Sequence, residues 1–246
     1  QIIVFTAAHV GNYGTTEEDD ESPRPRAAGA IFHDFFEPAH TAPGRAFPHF
    51  RASDSLDAWL KRKNIPAMCG VDTRALTLHL RRHGARNGIV GPAAKRDAVL
   101  AAARALPSMQ GRALAHLASR SESLVYADPA GKALHVVVVD YGVKDSILRR
   151  LAALGLKVTV IPAGATAEDI LAAKPDGVLL SNGPGDPEPL GDAVATIGKI
   201  LGRVPIFGIC LGHQRLGLAL GARTVKLPFG HHGVNQPVRD EASGRV

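Results

Sequence analysis

The sequence predicts an α/β protein whose C-terminal part is a flavodoxin-like parallel sheet with helices on both faces, preceded by a smaller mixed α+β domain. Three observations carry this. From residue 134 onward, apolar runs alternate with helix-spaced segments across short connections, the pattern of parallel strands joined by crossover helices. The run 134–139 is almost continuously apolar and β-branched, so its strand is buried on both faces. Residues 1–120 show no such alternation and mix short strands, loops and helices.

In chain order, 2–6 and 30–35 read as strands, separated by the acidic run Glu17-Glu18-Asp19-Asp20-Glu21 and a Pro-rich stretch, a solvated loop. A helix is expected over about 54–63, with Ser53 or Asp54 as cap. A second runs from the N-cap Asp72 to Gly84, a third over 93–106 before Pro107, and a short one over 112–119. The stretch 121–133 is aperiodic and carries Asp128-Pro129 and Gly131, which makes it the linker between domains 1–120 and 134–246. Beyond it, strands fall at 134–139, 156–161, 177–180 and 204–209. Helices fall between them: one after Val143 closed by Gly155, one capped by Thr166, one from Asp192 to Leu201 and one over 211–220.

The bulk properties exclude several classes. The net charge of +6 is scattered rather than clustered, so no nucleic-acid footprint is present. The two cysteines, Cys69 and Cys210, form no CxxC pair, which argues for free thiols in a reducing, cytoplasmic setting. No apolar run reaches the roughly 18 residues of a membrane span, and no signal peptide is visible. Both ends read as cut from a longer protein.

Two loops follow the C-terminal ends of strands, where open α/β sheets bind ligands. Gly208-Ile209-Cys210-Leu211-Gly212 has the form of a nucleophile elbow. A residue on this sharp strand-to-helix turn is lifted clear of the sheet, and glycines two places before and after it remove side chains that would clash. The helix N-terminus favours the thiolate, and the Leu211 N–H can donate to a developing oxyanion. The second loop is Ser181-Asn182-Gly183-Pro184-Gly185-Asp186-Pro187, stiff and approachable. A thiolate nucleophile usually needs a histidine base. His135, His213, His231 and His232 are available, but none stands at dyad spacing from a carboxylate, and a metal site from His231 and His232 lacks further ligands.

Residues 208–214, continuing into His213-Gln214, resemble the nucleophile motif of class I glutamine amidotransferases, and 181–186 resembles that family's oxyanion-strand loop. Within it the chain is most similar to the small subunits of carbamoyl-phosphate synthase. The loop 229–235, Val71-Asp72-Thr73-Arg74-Ala75-Leu76-Thr77 and His9-Val10-Gly11-Asn12-Tyr13-Gly14 carry that narrower resemblance. It implies hydrolysis of L-glutamine, with ammonia passed to a large synthetase subunit that makes carbamoyl phosphate for arginine and pyrimidine synthesis. It also implies that ATP and Mg belong to the partner, leaving this chain with no cofactor or metal. Cys210 is then the nucleophile, Gly183 and Gly185 line the glutamine site, Gly183 and Leu211 supply oxyanion N–H groups, and Gln214 contacts substrate. The family's His and Glu, its glutamine-holding Asn-His-Gly-Phe-like stretch and a serine before this chain's start have no match in these residues, and Gln236 stands where relatives commonly have His. A glutaminase subunit of another class I amidotransferase and a non-catalytic docking subunit stay open as alternatives.

Overall fold

In the computed structural model, which describes residues 1–36, 49–189, 191–230 and 237–245, the strands form two sheets. Strands β1 (Ile2–Val4), β2 (Gly29–Ile31) and β3 (Ala67–Met68) lie in that order, all parallel. Phe32, 1% exposed, packs there with Val10, Leu60 and Ile65. Helix α1 (Leu56–Arg62) starts later than expected. Its cap is Ser55, whose Oγ accepts from the Ala58 N–H at 3.1 Å, while Asp54 accepts from the Ser55 N–H and pairs with Arg62. Helix α2 (Thr73–His83) has the expected ends: Asp72 accepts from the Ala75 N–H at 2.8 Å, and Gly84 exits at φ 82°. Helix α3 (Arg96–Ala105) follows a single 3-10 turn, and α4 (Ala115–Ala118) is one short turn.

The acidic run is more than a solvated loop. Arg51 bridges Glu18 and Asp19, and Glu21 reaches forward 125 residues, its carboxylate accepting from the Ser146 N–H at 2.8 Å.

The aperiodic 121–133 is not all linker. It contains strand β4 (Leu124–Ala127), which pairs antiparallel with β6 (Lys157–Pro162) across a bulge. No periodicity marks this strand because it is short and lies at the sheet edge. The other strands are β5 (His135–Asp140), β7 (Gly177–Leu180) and β8 (Ile206–Gly208), and the order is β4-β6-β5-β7-β8. From β6 to β8 all neighbours are parallel. The first strand of the parallel set thus sits inside its second and third, the order of a flavodoxin-like doubly wound sheet.

The pleat sorts the core. Val137, Val139, Val178 and Leu180 face one side, with α6 (Ala167–Ala172), α7 (Gly191–Ile200) and α8 (Leu211–Ala219) supplying Ile170, Ile197, Ile200 and Leu211. Val138, Val158, Val160 and Leu179 face the other, against Leu148 of α5 (Asp145–Ala153). Thr166 and Asp169 form the capping box that starts α6. Asp192, expected as a cap, lies inside the first turn of α7, which opens at Gly191. Ala115 of α4 is fully buried in the core of the second sheet, so packing against that sheet begins before residue 120. No helix is long and apolar enough to cross a membrane among the described residues.

Candidate active site

Strands β7 and β8 are neighbours in register, with Leu180 opposite Gly208, so the chain leaves both at the same edge of the sheet. The Ile209 N–H still donates to the Leu180 carbonyl at 2.9 Å. Cys210 then turns the chain at φ 53°, ψ −111°, and α8 begins at the next residue. A side-chain-bearing residue in this region stores backbone strain of about 1–3 kcal/mol and persists only where its surroundings hold it.

The two elbow glycines provide that hold. A Cβ on Gly208 would stand 2.6 Å from the His213 nitrogen, in the first turn of α8. A Cβ on Gly212 would lie far inside van der Waals contact with the Leu180 carbonyl. The Gly212 N–H donates to the Ser181 carbonyl at 3.1 Å, so α8 is seated on the end of β7. The thiol of Cys210 remains exposed.

The 181–187 loop is held from below. Ser181 is fully buried; its Oγ accepts from the Tyr141 N–H at 2.9 Å and donates to the Asn182 carbonyl at 2.8 Å. Asn182 donates to the Gly142 carbonyl at 2.9 Å and accepts from the Lys144 N–H at 3.3 Å. The glycines of this loop answer to the chain itself. Gly183 lies on the Tyr141 carbonyl so closely that no Cβ fits, and Gly185, at φ 99°, lies against residues 112–114. Asp186 closes the loop by accepting from the Gly111 N–H at 2.9 Å.

The structure therefore brings Cys210, Leu211, Gly183 and Gly185 to one edge of the sheet, on two adjacent loops. The Leu211 side chain is in the core at 1% exposure, and its N–H opens α8, among the four a helix leaves without an internal acceptor. Gln214 is exposed one turn later, its N–H donating to the Cys210 carbonyl at 3.0 Å. His213 is exposed on α8. His135 starts β5, at the opposite edge from Cys210, and its Nε2 lies 2.8 Å from Thr159 Oγ1. His231, His232 and Gln236 lie outside the described residues, as do most of 229–235.

Three supporting residues were invisible to motif reading. Asp140, 3% exposed at the end of β5, accepts from the Gly142 and Val143 N–H groups, each at 2.9 Å, and from Arg120 N–H and Nε at 2.9 and 3.1 Å. Tyr141, 2% exposed, carries the Arg215 guanidinium over its ring at 3.9 Å from the centroid. Arg215 is fully buried, and its Nε and Nη2 have no hydrogen-bond partner among the described residues. Burial pushes the Arg215 guanidinium pKa down and that of the Tyr141 phenol up, each opposed by the other group. The one available signal was positional: Arg215 stands four residues after Leu211, on the helix face that must point inward.

The chain is similar in sequence to known proteins. Residues 1–90 match the family described as carbamoyl-phosphate synthase small chain, CPSase domain, and residues 137–246 match glutamine amidotransferase class-I. Over its whole length the chain is 47% identical to the carbamoyl phosphate synthase small chain of Brucella anthropi. It is 46% identical to those of Brucella canis and Brucella suis. It spans 64% of the length of each of these relatives.

Proposed function

The chain belongs to the carbamoyl-phosphate synthase small chain family, and from that premise we propose that it hydrolyses the side-chain amide of L-glutamine and supplies the ammonia to a large synthetase subunit for carbamoyl phosphate synthesis. The observation that carries the reading is the elbow. It presents an exposed thiol at strained backbone angles at the start of α8, beside the loop that starts at Ser181.

In this reading the Cys210 thiolate attacks the amide carbon, and the carbonyl oxygen becomes an oxyanion facing the N–H groups of Leu211 and Gly183. Fixed backbone donors of this kind are worth about 10²–10³ in rate each. The tetrahedral intermediate collapses, the C–N bond breaks, and the amide nitrogen leaves as ammonia after taking a proton. Water then attacks the thioester, releasing glutamate and restoring the thiol. Gly185 and Gln214 line the glutamine site. The family's His, oriented by its Glu, moves the protons; no described residue is assigned either role. ATP and Mg act on the large subunit, and the product feeds arginine and pyrimidine synthesis.

The match of residues 1–90 favours this reading over a glutaminase for another synthase. The test uses the full-length protein in complex with its large subunit. Cys210→Ser is expected to abolish glutamine-dependent synthesis and leave ammonia-dependent synthesis intact. Loss of both would make Cys210 structural. Failure of a glutamine-derived chloroketone to label Cys210 would leave only a docking role.

A further inference from the structure

We propose that Arg215 is a positioning residue for the reaction above: by stacking on Tyr141 it fixes the elbow helix against the loop that faces the nucleophile. The inference rests on the glutaminase reading and extends it to a residue with no place in the motif.

Tyr141 supports both halves of the site. Its backbone carries the loop: the N–H donates to Ser181 Oγ at 2.9 Å, and Gly183 is pressed against its carbonyl. Its ring carries the helix, through the guanidinium of Arg215 at 3.9 Å from the ring centroid. Cys210 is the N-cap of α8 and Arg215 lies on that helix, whose first turn is closed by the Gln214 N–H donating to the Cys210 carbonyl at 3.0 Å. The separation of the Cys210 thiol from the Gly183 N–H therefore depends on how Arg215 sits on Tyr141.

The alternative is that Arg215 merely fills space. An apolar side chain of similar length would do that better, since a fully buried guanidinium whose Nε and Nη2 have no hydrogen-bond partner among the described residues is costly to hold. Desolvation, on the other hand, strengthens the attraction between a cation and a ring face. A residue that costs stability but stiffens one contact between two catalytic loops has the character of a positioning group.

The test compares wild type, Arg215→Met, Arg215→Lys, Tyr141→Leu and the Arg215→Met/Tyr141→Leu double variant in the full complex. Arg215→Met is expected to melt no lower than wild type and to lose glutaminase kcat by about tenfold or more, with KM within about twofold, since small misplacements of reacting groups carry such rate costs. Inactivation by the glutamine chloroketone should slow in parallel, while alkylation of the exposed Cys210 by iodoacetamide, which needs no loop, should not change. Arg215→Lys, which keeps a cation, should recover part of the rate, and it decides the matter if the Met variant fails to fold. Losses from Arg215→Met and Tyr141→Leu should not add in the double variant. An Arg215→Met enzyme with wild-type kcat, or additive losses, would overturn the proposal. A wild-type complex that hydrolyses no glutamine overturns the functional reading itself, and this one with it.

Discussion

Cys210 is held at φ 53°, ψ −111°, a conformation that glycine adopts freely and that a Cβ makes costly. The strain is local to one residue, so its release should be measurable at one residue. Cys210→Gly is expected to raise unfolding free energy by about 1 kcal/mol while removing all glutamine hydrolysis. Chemical denaturation of the full-length protein checks this; a variant less stable than wild type would show that the thiol, not the backbone, is what the fold needs there. The same locality made Cys210 legible from the sequence, because Gly208, Cys210 and Gly212 specify the turn within five residues. Tyr141 and Arg215 were not legible. Their contact joins residues 74 positions apart, and an arginine in a helix normally reads as a solvent-facing charge.

At the scale of elements, the site is a matter of how closely α8 approaches β7. Gly212 sits where any side chain would strike the Leu180 carbonyl, and backbone on both sides leaves nothing flexible to yield. Gly212→Ala is therefore expected to lift the start of α8 off the strand end, break the bond from the Gly212 N–H to Ser181, and destabilise the protein by about 3 kcal/mol. Thermal melting compared with Gly198→Ala, where a Cβ meets open space, isolates the effect; equal melting of the two would sink it. Elements with a strong local signature were read correctly: β7 at 177–180, α2 between Asp72 and Gly84, and the Thr166 start of α6. Elements defined by their neighbours were not. β3 is two residues long and exists because Ala67 and Met68 extend the edge of β2, and β4 is a strand because β6 offers it an edge. The elbow glycines follow from local geometry, while Gly183 and Gly185, read from the sequence as lining the glutamine site, also pack closely against Tyr141 and residues 112–114, a reason no local pattern carries.

At the scale of the molecule, the N-terminal part reaches the flavodoxin-like sheet by a borrowed helix cap. Lys144, at the N-cap of α5, makes no side-chain cap bond. Glu21 supplies it from 125 residues away: its carbonyl accepts from the Asp145 N–H at 3.0 Å and its carboxylate from the Ser146 N–H at 2.8 Å. That carboxylate is held below its ordinary range, first by the Ser146 N–H and then by Arg149 and Lys144. A group whose folded pKa is depressed adds stability above its unfolded pKa and loses it as pH falls through the folded value. The cap is thus fully formed near neutral pH and is lost below the ordinary glutamate range of about 4.3. The site is partly exposed, so an anion at a helix N-terminus is worth only about 0.5 kcal/mol here, and less in high salt. Glu21→Gln should lower stability by about that amount at pH 7 and by less at pH 3, where more of the carboxylate is protonated. Paired urea titrations at the two pH values read the difference directly. A gap undiminished at pH 3 would mean that shape rather than charge joins the acidic run to α5, leaving the Glu21 carbonyl as the contact that matters.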